Sequence, residues 1–129
     1  MTAAIKKLTP LLYVEEIEPV LPFWEKVGFQ KTVEVPHGDK LGFVILQSGA
    51  SEIMYQTRAS VSEDIPQLGN SPMKGSFLFI EVDDLDAIER ALADIKPIIP
   101  RRKTFYGADE LIMREPAGNI VTFAQMAGA

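Results

Sequence analysis

Residues 76–85, SFLFIEVDDL, form a pattern that predicts a β-strand followed at once by the start of an α-helix. Alternation along the strand places Phe77, Phe79 and Glu81 on one face and the aliphatic residues between them on the other. The aspartates that follow offer side-chain oxygens to the unpaired amides of a helix start and suit the positive end of its dipole. The stretch therefore predicts one strand–helix unit of a domain that mixes α and β structure.

The same pattern occurs earlier in the chain. Residues 11–17, LLYVEEI, match residues 79–85, FIEVDDL, and the equivalent residues Val14 and Val82 are 68 positions apart. A repeat at about half of a 129-residue chain indicates an internal duplication. The rest of each half supports it, because both continue with a helical stripe and then three strand-like segments.

Each half is predicted to follow the order strand, helix, strand, strand, strand. The predicted strands are 8–15, 30–35, 41–47 and 51–56 in the first half and 76–82, 97–102, 111–114 and 119–125 in the second. Helices are predicted from Glu18 and from Leu85, and the lone tryptophan, Trp24, lies on the apolar stripe of the first helix and is predicted to be core. The fold class is therefore α+β: one domain over 1–129, with module 1 at about 8–57, a polar linker at about 58–74 and module 2 at about 75–126.

Composition excludes several partners. The net charge of −5 argues against nucleic acid, whose phosphates require a basic surface. The single basic run, Arg101 to Lys103, is predicted to be a solvated turn. No apolar run approaches the roughly 20 residues that span a bilayer, and the start of the chain lacks the apolar segment of a signal peptide, so a cytoplasmic protein without a membrane partner is expected. The absence of cysteine excludes disulfides and thiolate metal sites.

The paired βαβββ units, the V-[DE]-[DE]-[IL] entry into each helix, and the ending REPAGNIVTFAQ at residues 114–125 resemble the vicinal oxygen chelate superfamily. That superfamily includes glyoxalase I, bleomycin-resistance proteins and extradiol dioxygenases. The likeness covers residues 8–125. It implies a glyoxalase/bleomycin-resistance-like fold, in which two modules form a curved mixed β-sheet around a cleft, and it implies a homodimer.

The enzymes of this superfamily hold a divalent metal with side chains, usually His or Glu, from the concave face of the sheet. The resemblance places Thr9, Glu52, Phe77 and Thr122 at the four ligand positions. One carboxylate, two hydroxyls and a phenyl ring do not supply the three or four nitrogen and oxygen donors that such a metal needs. His37, the only histidine, lies in a predicted turn and is expected to be a surface residue. We therefore expect no catalytic metal and no cofactor.

Glu52 has two interpretations, both of which the sequence leaves open. It is either a charge near a strand start at the rim of the cleft, or an acidic anchor for a cationic or hydrogen-bonding ligand. It is also the one weak candidate for a catalytic residue, as a general base whose pKa is raised by desolvation. The sequence contains no nucleophile–base set and no glycine-rich phosphate loop, and pairs such as Asp83 and Asp84 are explained as helix-start acids.

The resemblance implies a ligand-binding cleft with an apolar and aromatic lining, two carboxylates and a few hydroxyls. Its predicted residues are Thr9, Leu11, Tyr13, Glu52, Met54, Phe77, Phe79, Glu81, Tyr106, Ile120 and Thr122. The alternative for each of them is packing in the core or in a dimer interface. Phe77 and Phe79 in particular either line the cleft or fill it.

Three functions follow as alternatives. The first is a metal-free protein that sequesters a small aromatic or cationic compound, as bleomycin-resistance proteins do in antibiotic resistance. The second is a glyoxalase-like lyase or isomerase, or a dioxygenase-like enzyme. The third is a structural member of the superfamily that binds no ligand.

Overall fold

The computed structural model describes residue 4 and residues 6–69 and 75–127, and it contains two compact units. The first unit comprises residues 1–18 and 29–73, and the second comprises residues 19–28 and 74–129.

Within the described residues the chain forms eight strands and three α-helices. In chain order they are β1 (Leu11–Val14), α1 (Leu21–Lys26), β2 (Gln30–His37), β3 (Lys40–Ser48), β4 (Ser51–Thr57), α2 (Arg58–Asp64), β5 (Phe77–Glu81), α3 (Leu85–Ala91), β6 (Arg102–Lys103), β7 (Ala108–Arg114) and β8 (Ile120–Met126).

Each unit contains one four-stranded sheet, and the two sheets have equivalent topology. The strand order is β1-β4-β3-β2 in the first and β5-β8-β7-β6 in the second. In each sheet the first and last strands of the repeat pair in parallel, and the other neighbours pair antiparallel. The predicted α+β class with two βαβββ repeats is therefore confirmed.

The first sheet buries one of its faces. Alternate residues of β3 and β4, among them Val44, Leu46, Ile53 and Tyr55, are at most 4% exposed. The intervening residues of both strands are partly exposed, so the pleat separates a buried face from an open one. Burial of one such side chain contributes roughly 1.5–3 kcal/mol, which fixes the register of these strands.

The second unit contains the helix of the first repeat as well as its own. The ring of Phe23 on α1 lies 6.3 Å from that of Phe123 on β8. Lys26, at the end of the same helix, forms a 2.8 Å ion pair with Asp94. Trp24 is 1% exposed, as the helical stripe predicted. Residues 19–28 thus belong by their contacts to the second unit, although they lie within the first sequence repeat.

The strand predicted at residues 97–102 is wrong except for its last residue, because the observed strand β6 is Arg102–Lys103. Pro97 and Pro100 lack the N–H group that a ladder requires. This segment is attached instead through a hydrogen bond from Ile98 N to Ile112 O at 2.9 Å.

The segment predicted as a polar linker contains helix α2 in its first part. Thr57 caps this helix, since its hydroxyl accepts a hydrogen bond from the Ser60 amide at 3.2 Å. Residues 70–74, at the end of the predicted linker, lie outside the described residues. No helix in the described part of the chain is long and apolar enough to cross a membrane.

The acidic residues that precede each predicted helix cap the helix in only one of the two repeats. In the second, Asp84 caps α3 by accepting the Ala87 amide at 3.1 Å, as predicted. In the first, the residue before α1 is Val20, which provides no side-chain cap, and Glu15 forms an ion pair with Arg58 at 3.1 Å instead. The prediction of helix capping is therefore correct for the second repeat alone.

Candidate functional site

The open face of the first sheet is largely apolar. We call it the first open face, and its members form rows across the strands according to the register. One row is Leu11, Met54, Ile45 and Val33, and a second is Tyr13, Gln56, Phe43 and Val35. Leu11, Val33 and Val35 are each more than 40% exposed. The structure places the predicted residues Thr9, Leu11, Tyr13, Glu52 and Met54 together on or beside this face.

Glu52 lies at the end of the first open face and is saturated by three donors. Its Oε1 accepts a hydrogen bond from the Thr9 hydroxyl at 3.0 Å, and its Oε2 accepts from Lys7 Nζ at 2.7 Å and from the Gln47 amide at 2.5 Å. The hydrogen bond from Lys7 is the main cause that lowers the pKa of Glu52, and those from Gln47 and Thr9 act in the same direction. A raised pKa was the condition for Glu52 to act as a general base, and this condition is not met because the pKa is lowered.

The open face of the second sheet, which we call the second open face, exposes two aromatic rings. Phe77 is 84% exposed and Phe79 is 57% exposed, so neither ring fills the core of its unit. The register pairs Phe77 with Ile120 and Phe79 with Thr122. Glu81 follows on the same face and lines a depression of about 290 Å³.

The strand register shows which of the four positions implied by the resemblance are equivalent in the two sheets. Thr9 contacts Glu52 directly in the first unit. In the second unit the residue beside Phe77 is Ile120, whereas Thr122 pairs with Phe79. Ile120 is thus the counterpart of Glu52 and Thr122 is the counterpart of Met54, so Glu52 and Thr122 do not occupy equivalent positions of the two sheets.

These residues do not fit a divalent metal. Thr9, Glu52, Phe77 and Thr122 supply two hydroxyls, a phenyl ring and a carboxylate that is already bound by a lysine. Across residues 6–69 and 75–127, no three His, Asp or Glu side chains converge to hold a metal ion. His37 lies at the end of β2, and its Nε2 is hydrogen-bonded to Glu63 Oε2 of α2 at 2.5 Å, outside the predicted cleft residues.

Tyr106 belongs to a cluster that the sequence did not predict. Its hydroxyl donates a hydrogen bond to Glu110, a residue that is 3% exposed, and this contact raises the pKa of Tyr106. Arg102 binds the other oxygen of Glu110 at 3.2 Å. In the strand register Glu110 of β7 lies opposite Ala124 of β8, and Ala124 lies opposite Glu81 of β5. Residues opposite each other share a face of the sheet, so the cluster lies on the second open face. Alternation along β7 could have placed Glu110 there, but no pattern in the sequence indicated that it is buried.

The basic run at Arg101 to Lys103 forms ion pairs with acidic residues of the second unit. Arg101 forms ion pairs with Asp86 at 2.7 Å, Glu89 at 3.0 Å and Asp109 at 2.8 Å. This arrangement joins α3 to β7 and lowers the pKa of Asp109, chiefly through the hydrogen bond from Arg101. The predicted solvated turn is wrong for Arg101, whose role is structural.

Comparison with solved structures identifies the fold: it is that of the glyoxalase, bleomycin-resistance and dioxygenase proteins. A glyoxalase/bleomycin resistance protein/dioxygenase from Nocardioides superimposes with a TM-score of 0.72 at 13% identity, over 100% of this chain and 89% of that one. Lactoylglutathione lyase from Agrobacterium tumefaciens gives 0.72 at 16% identity, over 97% and 95%. A bleomycin-binding protein in complex with bleomycin gives 0.66 at 18% identity, over 94% and 98%. The sequence matches no protein-family model and no curated protein.

Proposed function

We propose that this protein binds and sequesters a small aromatic compound, without a metal, on the apolar open faces of its sheets. The observation that carries the proposal is the exposure of Phe77 and Phe79 on the second open face. Aromatic side chains at such exposure are free to stack on a ligand ring, an interaction worth about 0.5–1.5 kcal/mol per pair beyond the area buried. A bleomycin-binding protein has the same fold, and this likeness supports a role in binding small molecules.

Of the two carboxylates predicted to line the cleft, we propose Glu81, not Glu52, as the partner of a cationic group on the ligand. Glu52 is neutralised by Lys7 and is 7% exposed in its side chain. Glu81 is exposed, and its carboxylate has no hydrogen bond or ion pair to another described residue. An uncommitted carboxylate near exposed aromatic rings suits an amine that also contacts a ring face.

The two alternatives have weaker support. A lyase, isomerase or dioxygenase mechanism in this superfamily depends on metal donors that the four positions do not provide, so no reaction step is assigned. A scaffold without a ligand would be expected to have its open faces covered by its own side chains, whereas Phe77 and Phe79 extend from theirs.

A titration with N-phenyl-1-naphthylamine, a neutral dye that becomes fluorescent in apolar surroundings, tests the proposal. We expect the wild type to bind the dye and the double variant F77A/F79A to bind it about tenfold more weakly, since two stacking partners are lost. The stability of the variant should change by less than about 1 kcal/mol, because both rings are exposed. I98A is the control for loss of an exposed apolar side chain, since Ile98 is 44% exposed in the same unit and lies outside the strands of the second sheet.

Wild-type affinity in a folded F77A/F79A variant would refute the role of the two rings. Absence of dye binding by the wild type would favour the scaffold alternative.

A further inference from the structure

Lys7 and Glu52 form a fixed charged pair at the end of the first open face. We infer that Lys7 recognises an acidic substituent, a carboxylate or sulfonate, on an aromatic ligand, and that Glu52 is the residue that positions it. This inference rests on the proposed function and adds to it a ligand class and a recognition residue.

The first step concerns Glu52, which has little capacity left for a ligand. Its side chain is 7% exposed and receives three donors, from Lys7, Thr9 and Gln47. A carboxylate offers about four acceptor positions, so most of those of Glu52 are already used. The group that this arrangement leaves accessible is the cation and not the acid.

The second step concerns the ammonium of Lys7. It has three N–H donors, and Glu52 is its partner among the described residues. The Lys7 side chain is 54% exposed, so the remaining donors are available to an acceptor from solution. Because Glu52 holds the ammonium in one place, a ligand would lose less side-chain entropy on binding it than on binding a free surface lysine.

The third step concerns the apolar surface next to the pair. Met54 follows Glu52 by two residues on β4 and therefore lies on the same face, where it pairs with Leu11. Leu11 is 41% exposed. A ring packed on these two side chains would bring an acidic substituent within reach of Lys7, in a charge-assisted hydrogen bond.

The test compares two dyes that share the same rings. N-phenyl-1-naphthylamine is neutral, and 8-anilinonaphthalene-1-sulfonate carries a sulfonate. We expect K7M to weaken binding of the sulfonate dye about tenfold, the value of one hydrogen bond to a charged group, and to leave the neutral dye within twofold. K6M is the matched control, because Lys6 is the adjacent exposed lysine and has no partner among the described residues. K7R, which retains the charge, should recover most of the lost affinity.

A lower affinity for the sulfonate dye in K7M but not in K6M, with the affinity for the neutral dye unchanged, would support the inference. The chain's net charge of −5 would repel an anion, so such selectivity could not come from the overall field. Equal affinity of wild type and K7M for the sulfonate dye would overturn the inference while leaving the proposed function intact if the neutral dye still binds. Failure of both dyes to bind the wild type would overturn the two proposals together.

Discussion

At the scale of single residues, Glu52 shows how partners decide the chemistry of a side chain. Its strand position was predictable from the alternation of Glu52, Ile53 and Met54. Its partner Lys7 is 45 residues away in the sequence and was not predictable from local patterns. The contact converts a candidate base into a stabilised carboxylate with a lowered pKa.

The pH dependence of stability tests this account of Glu52. Because its pKa is lower in the folded protein than the ordinary 4.5, its contribution to stability is present above that value and is lost as the pH falls through the folded-state pKa. We expect the wild type to lose more unfolding free energy than E52Q when the pH is lowered from 5 to 3, measured by urea unfolding at each pH. Parallel pH curves for the two proteins would contradict the account. E81Q is the control, since no lysine contacts that carboxylate in the described residues.

At the scale of secondary structure, prediction succeeded where the apolar period was strong. The alternation in Phe77–Glu81 and in Ile120–Met126 located β5 and β8 to within a residue or so at each end. It failed at β6, where two prolines remove the ladder donors, and at α2, where Val61 is the single buried residue and gives no helical stripe. Short elements held by caps and isolated hydrogen bonds leave too weak a pattern in the sequence.

The attachment of helix α3 depends on Arg101. Its guanidinium bridges Asp86 and Glu89 of the helix to Asp109 of β7. We expect R101M to lower the free energy of unfolding by roughly 1 kcal/mol, because the partners are partly exposed and solvent screens the pairs. Hydrogen exchange should be faster for the α3 amides. The control is R90M, on the exposed side of the same helix, and equal exchange in the two variants would show that Arg101 does not hold α3.

At the scale of the whole molecule, the sequence predicted the duplicated fold but not all the contacts made on the open faces of its sheets. The repeat from Val14 to Val82 gave the two equivalent sheets, and the solved structures share that fold. The absence of metal-binding side chains at Thr9 and Phe77 was visible in the sequence, whereas the pairing of Lys7 with Glu52 joins residues 45 positions apart. The homodimer and the cytoplasmic location remain predictions.

The central claim is that the protein binds an organic ligand without a metal. Native mass spectrometry of gently purified protein, exposed to Zn²⁺ and then dialysed, tests it most directly. We expect chains that carry a small organic mass and no zinc, since Thr9, Glu52, Phe77 and Thr122 do not form a metal-binding set and the described residues contain no cluster of three His, Asp or Glu side chains that could hold a metal ion. One zinc ion retained per chain, with no organic mass, would contradict the account.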